Sequence, residues 1–241
     1  MDFKIKLAGI VIGVRSIYDE VFALCKDYLT DEEAAFTVCV TPKDIAFEQE
    51  KSIREALYER RLPERFSESY LETLAVYRAI VEKLMNYDVF LMHGSAVAVD
   101  GQGYIFTASS GVGKTTHTRL WLEHIPGAYV VNGDKPLLRL RGDVVEVCGT
   151  PWAGKEGMNR NTAVPLRAVC LLERGQENSI EPLPFLAAYA TLLQQSYRPS
   201  DAALLQKTMG FVRELGDKVQ IYRLKCNMDP SAAAVAYEAM R

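Results

Sequence analysis

The chain has 241 residues, 49% of them hydrophobic, enough to bury one substantial core or one core with a small appended subdomain. Its formal net charge of -3, with no concentrated block of Lys and Arg, excludes the positive field that draws proteins to polyanions, so no nucleic-acid partner is expected. Five cysteines (Cys25, Cys39, Cys148, Cys170, Cys226), odd in number and far apart, read as small reduced hydrophobes of a soluble cytoplasmic protein, and none are spaced as zinc ligands.

In chain order, residues 3–14 alternate loosely and are rich in Ile and Val, which predicts a strand; the apolar run 7–14 is too short to span a bilayer, so no membrane partner is expected. Residues 18–28 have helical spacing and 35–40 are strand-like until Thr41-Pro42 breaks them, giving a small β-α-β opening. Between 44 and 65 charges crowd together as on a solvated helix face, which Pro63 ends. Ser69 and Glu72 have the spacing of a capping box, and Leu74, Tyr77, Val81 and Leu84 then recur along one helical face as a core stripe. After Asp88 short β-type runs at 89–92, 96–99 and 104–106 alternate with glycine-containing turns. The expected organisation is a small amino-terminal α/β subdomain over 1–66 and a core over 67–241, with no flexible tether between them.

The core holds the clearest chemical signal. Residues 104–107 read as a strand, 108–113 as a loop of small residues, and 114–122 as the helix that follows. Glycines let consecutive backbone N–H groups face one phosphate, and the positive end of the helix dipole adds to their field. This predicts a phosphate-cradling loop (P-loop) made by Ser109, Ser110, Gly111, Val112, Gly113, Lys114, Thr115 and Thr116, binding ATP or a close relative. Lys114 would neutralise the β- and γ-phosphates and the Thr115 hydroxyl would ligate Mg²⁺. Ala108 stands where the usual pattern has its first Gly, a position that makes the strand-to-loop turn and presents no side chain to phosphate. The strand at 128–131 ends in Asn132-Gly133-Asp134, which makes Asp134 the metal-side carboxylate.

Taken together, His93-Gly94-Ser95 before the loop, the Ser110–Thr115 core, Asn132-Gly133-Asp134-Lys135-Pro136 and Gly149-Thr150-Pro151-Trp152-Ala153-Gly154-Lys155-Glu156 resemble the HPr kinase/phosphorylase and phosphoenolpyruvate carboxykinase-like P-loop family, and within it the short HPr-kinase-like proteins of bacterial gene clusters. The resemblance covers about residues 88–241. It implies an α/β fold with a mixed sheet around the P-loop, Mg²⁺ and ATP as cofactors, and transfer of the γ-phosphate to a hydroxyl, serine-like, on a small protein, peptide or metabolite. It also implies a homo-oligomer, since members of that family form oligomers. A carboxykinase activity and the reverse phosphorolysis are not carried over.

One departure bears on mechanism. The family shows two consecutive acidic residues after this strand, the first proposed as the base on the acceptor hydroxyl; here that position is Gly133. Either His93, Glu156 or Asp143 takes the proton, or the protein is a nucleotide-binding regulatory or assembly protein with little turnover. The expected catalytic set is therefore Asp134, His93, Lys155 and Glu156, with Thr115 and Asp134 on the metal. Lys135, Arg160 and Arg198 are further cations that could meet the transferred group, and Lys155 leads them because Trp152, Gly154 and Gly157 read as a substrate-covering loop with an aromatic anchor. His117 reads as structural.

Overall fold

The computed structural model describes residues 1–58, 60–108 and 111–241, which fall into two compact units, Met1–Leu84 and Met85–Arg241. The boundary lies 18 residues beyond the expected one at 66, so the helix of the core stripe belongs to the first unit.

In the first unit the predicted opening strand is a hairpin. Strands β1 (Asp2–Leu7) and β2 (Ile10–Arg15) pair antiparallel through a two-residue turn in which Ala8 and Gly9 both have positive φ. Helix α1 (Asp19–Leu24) then crosses to β3 (Phe36–Cys39), which lies parallel to β2, so the β-α-β unit stands with one strand added in front. Helix α2 (Pro42–Tyr58) starts with Thr41 as its cap: the Thr41 amide and hydroxyl donate to Asp44 Oδ2 at 2.9 and 2.7 Å. Its charged face is mostly solvated, but Glu48 is buried and accepts from Arg78 Nε at 2.6 Å.

Helix α3 (Glu68–Leu84) buries Tyr77, Val81 and Leu84 as its stripe predicts, with Leu74 only half-buried. The capping box at Ser69 and Glu72 does not form. Ser67 Oγ accepts from Tyr70 N at 3.2 Å instead, while Glu72, fully buried, accepts from the amides of Ile17 and Tyr18 at 2.5 and 2.9 Å. A carboxylate 54 residues along the chain thus satisfies the N–H groups at the start of α1, whose own cap residue offers no side-chain bond.

The second unit is built on a nine-stranded mixed sheet. Its central path contains β4 (Val89–Leu91), β8 (Leu137–Arg141), β9 (Val144–Cys148), β10 (Ala163–Arg174), β6 (Gln102–Thr107), β5 (Ser95–Val99) and β7 (Tyr129–Asn132) in that order. The long β10 also pairs parallel with β12 (Gln220–Cys226), which carries β11 (Ser179–Pro182) antiparallel on its far edge. Because side chains alternate along a strand, each buried strand feeds two cores. Ala96, Ala98, Ile105, Val169 and Ile221 pack with α5 (Phe185–Gln195) and α6 (Ala202–Lys218), where Phe90 stacks on Phe211 at 3.9 Å. Val97, Val99, Tyr104, Phe106 and Leu224 pack with α4 (Lys114–His124) and α7 (Ser231–Met240) around the fully buried Trp121.

This two-sided burial explains the near-continuous apolar runs of β5, β6 and β10. It also holds β6, β5 and β7 rigidly side by side, which fixes where the residues just beyond their ends can lie. Burial pushes the thiols of Cys25 and Cys148 up to about 12. Among the described residues, no helix is long and apolar enough to cross a membrane.

Candidate functional site

The predicted strand–loop–helix is present at both of its ends. β6 stops at Thr107 and α4 starts at Lys114, capped by Gly113. Gly111 and Gly113 have φ of 77° and 120°, and a Cβ on either would meet nothing, so these positions need glycine for backbone conformation rather than for space. Ser109 and Ser110 lie outside the described residues. Lys114 is partly buried and its ammonium donates to Ala108 O at 3.2 Å. Burial pulls its pKa down and the negative charge of Asp134 opposes that shift, so the two groups feel each other.

Asp134 is held by β7, β5 and α5 together. Asn132, fully buried at the end of β7, accepts from the amides of Asp134 and Lys135 at 2.9 and 2.6 Å. Its amide nitrogen donates to Thr150 O and Oγ1, both at 2.9 Å, and to Trp152 O at 3.3 Å. One side chain therefore ties the Asp134 turn to the 150–154 segment. Gly94 N donates to Asp134 O at 3.0 Å, bringing the start of β5 against the same turn.

The Asp134 carboxylate has a partner on each oxygen. His93 Nε2 is 3.0 Å from Oδ1, and the Lys135 ammonium donates to Oδ2. Burial opposes ionisation of Asp134, but the His93 hydrogen bond and the Lys135 charge outweigh it and hold the carboxyl well below the usual range. The other ring nitrogen of His93, Nδ1, lies 3.1 Å from Gln195 Oε1 on the last turn of α5. Both ring nitrogens of His93 thus face oxygen partners, which places it to orient Asp134.

These groups line a cleft of about 450 Å³ that brings together His93, Ser95, Gly111, Gly113, Lys114, Thr115, Asp134, Lys155 and Glu156. Gly154 has φ of 73°, and a Cβ there would come 2.9 Å from Asp134 Cβ, so the backbone packs directly on the carboxylate. Lys155 is exposed at the mouth, while Glu156 pairs with Arg119 of α4 at 2.7 Å. Trp152 is buried, as an anchor requires.

Several expected residues do not face the cleft. Val112 packs on the core and Thr116 is exposed on α4. Asp143 sits on the exposed turn after β8, Arg160 stacks over Tyr129 at 4.3 Å, and Arg198 is exposed and not among the lining residues. His117 is buried, accepts from Trp121 Nε1 at 3.1 Å and has its pKa lowered to about 4 by burial, in keeping with a structural place. Gln195 and Arg119 were not foreseen, because nothing local to either marks it.

Hard oxygen ligands suit Mg²⁺. The ionised Asp134 and the Thr115 hydroxyl supply such oxygens in the same cleft as the Lys114 ammonium, so the residues present fit a metal-bound polyphosphate.

Fold and cleft define a mixed-sheet α/β protein with a charged site where a glycine loop enters a helix. The family model described as SynChlorMet cassette protein ScmC matches residues 65–231, and the chain belongs to that family. No curated protein matches its sequence. Among solved structures, that of the Hpr(Ser) kinase/phosphatase from Coxiella burnetii is similar at 9% identity with a TM-score of 0.37, covering 62% of this chain and 95% of that one.

Proposed function

We propose that this protein is an Mg²⁺- and ATP-dependent kinase that passes the γ-phosphate to a hydroxyl, serine in a small protein, a peptide or a metabolite. The observation that carries this reading is that Lys114 and Asp134 share one cleft beside the glycine loop and the start of α4. Lys114 would neutralise the β- and γ-phosphates, backbone N–H groups at the loop and helix start would take up phosphate oxygens, and Thr115 and Asp134 would hold the metal. Mg²⁺, when bound, supplies charge neutralisation on the phosphates. The γ-phosphorus leaves ADP and bonds to the acceptor oxygen, whose proton passes to the medium. Lys155 at the cleft mouth is the cation that meets the incoming acceptor. Titration calorimetry with ATP and Mg²⁺, followed by transfer from γ-labelled ATP to candidate acceptors, tests this; a folded protein that binds no nucleotide sinks it.

A second reading is a nucleotide-binding regulatory or assembly protein with little turnover. It is favoured by Gly133 in place of a carboxylate, together with the engagement of both Asp134 oxygens by His93 and Lys135. Tight nucleotide binding with no ATP consumption, whatever the acceptor, selects it. Steady consumption without acceptor would instead mark an ATPase.

A further inference from the structure

Ser95 opens β5 between the Asp134 turn and the first turn of α4, and its hydroxyl has no role in the reading above. It is 1% exposed, yet it lines the cleft. Ser95 Oγ lies 2.7 Å from Thr118 Oγ1, and Thr118 Oγ1 in turn donates to Lys114 O at 2.9 Å. The single Thr118 proton is committed to that carbonyl, so Ser95 must be the donor between the two hydroxyls. Its proton is then taken up by Thr118 of α4, so toward the cleft it lines Ser95 Oγ can act only as an acceptor.

The preceding residue, Gly94, donates to Asp134 O, so this oxygen is fixed relative to the metal-side carboxylate through the backbone and relative to Lys114 through Thr118. A hydroxyl with its proton tied back, lining the same cleft as the hard oxygen ligands Thr115 and Asp134, suits the hydration shell of a hard cation. Resting on the kinase reading, we propose that Ser95 is a positioning residue that would accept a hydrogen bond from the water shell of a nucleotide-bound Mg²⁺ for which Thr115 and Asp134 would be the ligands.

Ser95→Ala tests this without orphaning a donor, since Thr118 keeps Lys114 O as its acceptor. Mg²⁺ is titrated into the 241-residue protein with ADP, and ADP binding is also measured in EDTA, alongside melting curves. The proposal expects the Mg²⁺ affinity of the ADP complex to fall by about 10-fold, as for loss of other outer-shell partners, with metal-free ADP affinity unchanged and the melting temperature lowered by no more than the few degrees that loss of one buried hydrogen bond brings. Equal loss with and without Mg²⁺ would make the hydroxyl a pin for α4 and overturn the proposal, as would no loss at all. If the parent protein binds ADP in neither condition, the kinase reading fails and takes this role with it; normal parent binding with an unaffected variant removes Ser95 alone.

Discussion

His93 and Asp134, 41 residues apart, meet through Nε2 and Oδ1 at 3.0 Å, while Gln195 occupies the opposite ring nitrogen of His93. We propose that a histidine held this way orients the carboxylate. His93→Gln should therefore weaken Mg²⁺-ATP binding by about 10-fold, the range for a lost outer-shell partner. Its single-turnover transfer rate at saturating Mg²⁺-ATP should drop far less than the ~10²–10⁴-fold of a lost base. A drop of that larger size with binding intact would restore His93 as the base.

On the proposed function, Lys114→Ala should remove most nucleotide affinity with the fold retained, because it deletes the ammonium that lines the cleft beside the glycine loop. Thr115→Val should lower only the metal-dependent part of binding, since it removes an oxygen ligand and keeps the side-chain shape. Calorimetry with and without Mg²⁺ separates the two, and unchanged ATP binding by a folded Lys114→Ala variant would end the P-loop reading.

Gly133→Asp should raise the transfer rate, by up to about 10²-fold, without tightening ATP binding, because a base acts in the transition state. The backbone is permissive, as Gly133 is absent from the positive-φ residues. Space is tighter: a Cβ there would lie 3.1 Å from Ala153 O, so that carbonyl must give by a few tenths of an ångström, while Met158 O at 3.4 Å is at ordinary contact. A melting temperature lowered by a few degrees is expected. A variant that folds, binds Mg²⁺-ATP normally and transfers no faster shows that a missing base does not limit transfer.

In the first unit, Glu72→Ala should cost about 2–4 kcal/mol, since it strands the amides of Ile17 and Tyr18 that the carboxylate now satisfies. Glu72→Gln, which keeps one accepting oxygen, should recover part of that. Urea unfolding measures both, and a cost below about 0.5 kcal/mol for the alanine variant would mean that water replaces the carboxylate there.

Asp44 gives a pH test away from the cleft. The Thr41 hydroxyl and amide hydrogen bonds hold its carboxyl below the ordinary value, against the effect of burial and with help from Arg78. A depressed folded pKa contributes stability that is complete above the unfolded value, about 4, and is lost as pH falls below it. Asp44→Ala should thus cost about 0.5–1 kcal/mol at pH 7, in the range of a helix cap. The melting curves of the two proteins should converge as pH falls below that value; a gap independent of pH would assign the cost to helix propensity.

Local chemistry was enough to predict the strand at 104–107, the helix from 114 and the glycines between them, because period-2 burial, helical spacing and positive-φ demand are properties of neighbouring residues. Asp134 was legible for the same reason, as the carboxylate closing a strand. The capping box at Ser69 and Glu72 shows the limit: its spacing was right, but Glu72 went to Ile17 and Tyr18, and Thr41 with Asp44 made the cap that sequence had read only as a break. That Gln195, 102 residues away, lies against the second ring nitrogen of His93, and that Thr118 and Lys114 O lie in line with the Ser95 hydroxyl, are facts of tertiary packing. Such choices lie with the tertiary structure because a hydrogen-bonding group has one or two partners among many of equal local merit, and only packing decides which of them comes within 3 Å.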